Sequence, residues 1–144
     1  MDQIESARAR VEHAAELPAV LDAAYDAFEQ MLAAITIQQD RGGGAFPAFV
    51  MSGTAAANGR DALAAAPSLP KASLGDLGGL AGESGLDLPV KDAAAGLASL
   101  SQLLSRRLTD VSGHTTDADD RVACVQAARQ AAYVCSLMGG TPEP

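Results

Sequence analysis

An all-α fold, a four-helix bundle whose first helix is kinked near Pro18, is what this sequence predicts, and three observations predict it. Alanine fills about a fifth of the 144 residues while aromatics reach only 3% and tryptophan is absent. Alanine is the best helix former, and the β-branched and aromatic residues that strands prefer are scarce. Apolar residues recur at spacings of three and four through four long stretches. Glycine and proline gather mostly between those stretches, where they break helices. The length suits one domain spanning residues 1–144, large enough to bury roughly two-thirds of the surface its unfolded chain exposes.

The first helix is expected over residues 2–40. Ile4, Val11 and Ala14 lead to Leu17, Leu21, Ala24, Phe28, Met31 and Ile35 on one face, with Asp22, Asp26 and Glu29 on the other. Pro18 interrupts it: the proline ring clashes with the carbonyl four residues back, so the helix bends near Leu17 or restarts there. The glycines of RGGG, 41 to 44, end the segment.

A second helix over 46–66 opens on Phe46 and Pro47, with proline at a tolerated first-turn position, and stops before Pro67. Its inward stripe is Phe49, Gly53, Ala56 and Leu63. Glycine costs about 1 kcal/mol relative to alanine inside a helix, so Gly53 and Gly59 imply a close neighbour, expected to be another backbone, or a bend.

Residues 67–90 are rich in proline and glycine, yet carry Leu69, Leu74, Leu77, Leu80, Leu86 and Leu88. At roughly 1.5 to 3 kcal/mol for each leucine fully buried, they favour an ordered crossover lying on the bundle over a solvated linker. The third helix, 91–112, has the strongest stripe: Leu97, Leu100, Leu104, Leu108 and Val111. The fourth covers 116–138, and a tail occupies 139–144.

Charge narrows the function. A formal net charge of −8 opposes a phosphate-binding surface, because nucleic-acid affinity comes mainly from lysine and arginine displacing counterions. No apolar run approaches the roughly 18 residues of a membrane span, and MDQIESARARVEHAAEL lacks a secretory pattern. The expected setting is cytoplasmic, without nucleic acid or membrane as partner. The two cysteines form no CxxC pair, and the bias of arginine over lysine is typical of a GC-rich bacterial genome.

The most chemical-looking passage is TTDADDRVACVQAARQAAYVC, Thr115 to Cys135. His114, Asp117 and Asp120, with Asp119, are weak candidates for a divalent cation, but their spacing matches no EF-hand loop and no ExxH pair occurs. Helix capping by Thr116 or Asp117, with Asp119 and Asp120 at the positive end of the dipole, explains them more simply. Cys124 and Cys135 lie three turns apart, roughly 16 Å along one face with Ala128, Ala131 and Met138, and read as core.

Arg60 is the oddest single residue, since it falls on the inward stripe of its helix. It is expected to pair with a carboxylate such as Asp26, Asp40 or Asp110, or else, with Asn58 and Asp61 beside it, to reach an anionic ligand or a partner protein. On the last helix Val122, Tyr133 and Leu137 share a face with Gln126, Arg129 and Gln130, opposite the cysteines, as interface residues do. His13, beside Glu12 and Glu16, and His114 are the only histidines.

There is no GxSxG, Walker loop, dinucleotide fingerprint or HExxH, and without tryptophan no WxG turn of small secreted helical dimers. The sequence therefore points to a non-catalytic helical accessory subunit or adaptor, without a cofactor, that self-associates or docks on a larger enzyme. The alternative is a small helical enzyme or ligand carrier using Arg60 for an anionic group and a His/Asp pair for proton transfer.

Overall fold

The computed structural model of the chain describes residues 3–41, 46–70 and 89–139, and every regular element among them is an α-helix. They are α1 (Gln3–His13), α2 (Leu17–Arg41), α3 (Phe46–Ala64), α4 (Val90–Ser112) and α5 (Ala118–Leu137).

The extra helix comes from the first predicted one. Residues 2–40 are not one kinked helix but two helices separated at Ala14–Glu16. An unbroken helix would drive the Pro18 ring into the carbonyl of Ala14, so the chain leaves the helix and restarts with Pro18 in the first turn. The break is deep enough for α1 to fold back along α2: Arg10 reaches Asp26 at 2.6 Å and Asp22 at 3.4 Å. The carbonyls freed at the end of α1 have a partner from far along the chain. Arg107 of α4 donates from Nε to the Val11 carbonyl at 3.4 Å, and from Nη2 to the Ala14 carbonyl.

Cross-contacts set the directions of the other helices. Gln39 pairs with the Phe49 carbonyl and Arg60 with Glu29, so α3 runs antiparallel to α2. Gly96 lies beside Ile4 and Arg107 beside Val11, so α4 runs parallel to α1. After the turn at Gly113, α5 returns along α4, and its start is tied to the end of α3 by Ser68 and Asp120. Helix α5 packs extensively on both α3 and α4, while α1 occupies the seam between α2 and α4. Helices α3 and α4 point the same way, so Ala64 and Val90 sit at opposite ends of the packet.

The core is drawn from the predicted stripes. Val11, Leu21, Phe28, Met31, Ile35, Phe49, Leu63, Leu97, Leu100, Leu104 and Leu108 are fully buried, each a contribution of roughly 1.5 to 3 kcal/mol. Glu29 departs from the pattern: expected on the outer face, it is only 6% exposed. With α1, α3 and α4 all against it, α2 has little outer face left.

The glycines of α3 are explained by side chains rather than by a crossing backbone. A methyl group on Gly59 would stand 2.5 Å from the Phe28 ring, and one on Gly53 would stand 3.3 Å from Ile35 and Gln39. Leu69, from the predicted crossover, is buried. Leu74, Leu77, Leu80, Leu86 and Leu88 lie outside the described residues, as do Gly42 to Gly44 and the tail beyond Gly139. Among the described residues no helix is long and apolar enough to cross a membrane.

Candidate functional site

The predicted site residues divide between two flanks of α3. Arg60 lies on the α2 side, where Nη1 stands 3.5 Å from Glu29 Oε2 and Nε donates to Asp61 Oδ1 at 3.3 Å. The side chain is 30% exposed, so it covers the seam edge and places its charge on a buried carboxylate. None of Asp26, Asp40 and Asp110 is the partner seen here: Asp26 is held by Arg10, and Asp110 faces Arg107. Asn58 and Asp61 are exposed.

Behind Arg60 the seam is polar and tight. Glu29 Oε1 is buried and meets no hydrogen-bond partner, and Tyr25 sits nearby. Burial first, then the Glu29 carboxylate, raises the Tyr25 phenol above its ordinary value. A carboxylate in this setting depends on its cation, which gives Arg60 a structural task.

The other flank carries the second group. Helix α5 buries Ala123, Cys124, Ala127, Ala128, Ala131, Val134 and Cys135. Its opposite face leaves Val122 53% and Tyr133 45% exposed, with Gln126 and Arg129 exposed between them and Leu137 half-buried. Because α3 runs antiparallel to α5, the amino-terminal end of α3 lies at the Tyr133 end of the packet. That end of α3 exposes Val50 and Met51. Apolar groups of two helices are thus exposed toward this end of the packet, none of them in contact with Arg60.

The aspartates preceding α5 have local tasks. Asp117 caps the helix, its Oδ1 accepting from the amides of Asp119 at 2.9 Å and Asp120 at 3.0 Å. Asp120 is buried and accepts from the Ser68 amide at 3.0 Å and the Ser68 hydroxyl at 2.5 Å. His114 turns instead toward Asp110, so the three weak metal candidates point to three different partners. No three metal-ligating side chains converge among the described residues. Both cysteines are free and buried. Burial, and secondarily Asp120, pushes the Cys124 thiol up to about 11, which keeps it protonated and unreactive at neutral pH.

One cleft combines charge and space. It has a volume of about 460 Å³ and lies where α1 breaks from α2, against the end of α4. Leu17 and Val111 give it apolar walls; Arg107, Asp110, His114, Thr115 and Thr116 give it polar ones. Asp110 stands between two bases, its Oδ2 3.6 Å from Arg107 Nη1 and its Oδ1 3.8 Å from His114 Nε2. The Arg107 guanidinium is largely committed to the α1 carbonyls.

Sequence reasoning paired neither His114 with Asp110 nor Val50 with Met51. The first pair has the i, i+4 spacing of helix neighbours, but the helix ends at Ser112, between the two residues. The second pair lies off the inward stripe of α3, where single exposed apolar residues draw no notice. No family model matches the chain, and no curated protein or solved structure shows significant similarity to it.

Proposed function

We propose that this chain is a non-catalytic interaction module, an accessory subunit or adaptor that acts by docking the outer face of α5 on another polypeptide. The supporting observation is the pair Val122 and Tyr133, half in water on a helix whose inner face is already fully packed. Tyrosine framed by arginine and glutamine is what interface cores use, since it brings apolar area and a hydrogen-bonding tip at low entropic cost. The polar groups singled out elsewhere have structural tasks: Asp117 in a cap, Asp120 on Ser68, Arg60 on Glu29.

A photo-crosslinking residue at position 133, in the host that makes the protein, tests this. A discrete protein adduct is expected there and not at the control position Glu12. Adducts at neither position, or turnover by the purified chain, would remove the reading.

A second reading, a small-ligand carrier or enzyme, rests on the cleft with Asp110 between Arg107 and His114. Here His114 would exchange the proton, with Asp110 orienting its ring. Resonances of the His114 ring should then move on titration with millimolar carboxylates or phosphate. No movement with any of them eliminates this reading.

A further inference from the structure

We infer that the occupant of the α5 face is a second copy of this chain, its α5 antiparallel to the first across a twofold axis level with residues 127 and 128. The inference rests on the docking reading and names the partner.

The outer face of α5 repeats at alternating steps of three and four residues: Asp119, Val122, Gln126, Arg129, Tyr133, Ser136. All six are exposed. That series is symmetric about its midpoint, so a copy laid antiparallel in this register pairs each position with one of like character. Val122 meets the partner's Tyr133, and Tyr133 meets the partner's Val122, giving two identical apolar contacts. Gln126 lies opposite the partner's Arg129, where a side-chain carbonyl can accept from a guanidinium. Asp119 lies opposite the partner's Ser136.

Charge selects this direction over the parallel one. A parallel pairing in register would set Asp119 on the partner's Asp119 and Arg129 on the partner's Arg129, and like charges in contact disfavour a complex. The chain as a whole is at −8, which opposes self-association. The exposed charges of α5 and its cap nonetheless balance: Asp117 and Asp119 against Arg121 and Arg129. Two copies approach here without facing the acidic excess.

The size of the face sets the strength. A helix of 20 residues is about 30 Å long. One helix strip of that length falls short of the roughly 800 Å² per partner of a standard interface, which places the contact among the small, transient ones. A reversible dimer with a dissociation constant of about 1 to 100 μM follows.

Sedimentation of the purified full chain, from about 1 μM to 1 mM, tests this, with V122D, Y133R and the double variant alongside. The single variants should weaken association at least tenfold. The double variant should regain most of it, because each new aspartate faces the partner's new arginine at both ends. Thermal melts of all three should stay near wild type, since both sites are exposed. A strict monomer at 1 mM overturns the inference, as does a dimer indifferent to V122D, or a double variant no better than the singles. In any of these cases a position-133 adduct with a different protein leaves the docking reading standing, whereas the absence of any adduct removes both.

Discussion

The α2–α3 seam and the α4–α5 seam are built on different principles, and the difference shows where this protein is brittle. Where α4 packs on α5, the side chains buried on the two helices are Leu97, Leu100, Leu104 and Leu108 on one and mainly alanines, two cysteines and Val134 on the other, small and flexible hydrocarbon shapes. Between α2 and α3, a Phe28 ring lies on a glycine, and a buried carboxylate relies on one arginine. The first seam draws its stability from area spread over many residues. The second depends on single fits, each with one acceptable solution.

Truncation should therefore hurt both seams, and the aromatic one more. Phe28→Ala is expected to cost about 3 to 5 kcal/mol and Leu104→Ala about 2 to 4 kcal/mol in urea unfolding. Equal losses would mean that α2–α3 yields as readily as α4–α5.

The glycine gives the sharper contrast. Adding one methyl at Gly59 gains helix propensity but overlaps a fully buried ring, a net loss of about 1 to 2 kcal/mol. Pairing Gly59→Ala with Phe28→Leu should give a coupling above about 0.5 kcal/mol, measured in a double-mutant cycle. Additive losses would show that the ring is not what the glycine accommodates.

The ionic pair should follow. Arg60→Ala leaves the Glu29 carboxylate buried beside no cation, and because Arg60 is part-exposed the cost is set at about 1 to 2 kcal/mol rather than that of a fully buried pair. Adding Glu29→Gln should recover part of it, since a neutral amide needs no counter-charge. If Glu29→Gln brings no recovery, Arg60 acts through its packing alone.

The smallest effect belongs to the α4–α5 side and to alkaline pH. The Cys124 thiol titrates at about 11 in the folded chain against an ordinary 9.0. Between those values the native state keeps a proton that the unfolded state has released. Stability is thus complete below pH 9 and falls as pH rises toward 11, by about 1 kcal/mol at pH 10. Cys124→Ala should flatten that part of the pH profile; an unchanged slope would assign it to other groups. Tyr25 is shifted in the same direction from a higher starting value and adds to the loss only at higher pH.

Much of this was legible in the residues themselves. The inward stripes of α3, α4 and α5 are buried except at Gly53, Val111 and Met138, which are half-buried, because a period of 3.6 marks a face wherever a helix has one neighbour side and one solvent side. Glu29 was misread because α2 is enclosed on several sides and the rule no longer applies. Pro18 announced a disturbance, but a fold-back differs from a kink only through what receives α1, and Arg107 stands 93 residues beyond the Ala14 carbonyl it holds. The exposed pair Val122 and Tyr133 was readable from the helical wheel alone. The cleft was not, since Leu17, Arg107 and His114 come together only after the chain has turned back on itself.

By itself, then, the sequence determined which segments are helical, where proline and glycine stop them, and which face of each is apolar. These follow from backbone preferences and side-chain spacing within a few residues. Only the tertiary structure decided the direction of each helix, the burial of Glu29 under Arg60, the ring over Gly59 and the meeting of His114 with Asp110 over an open cleft. Those depend on groups distant in the chain brought within a few ångströms, and packing and Coulomb forces act across space without regard to sequence order.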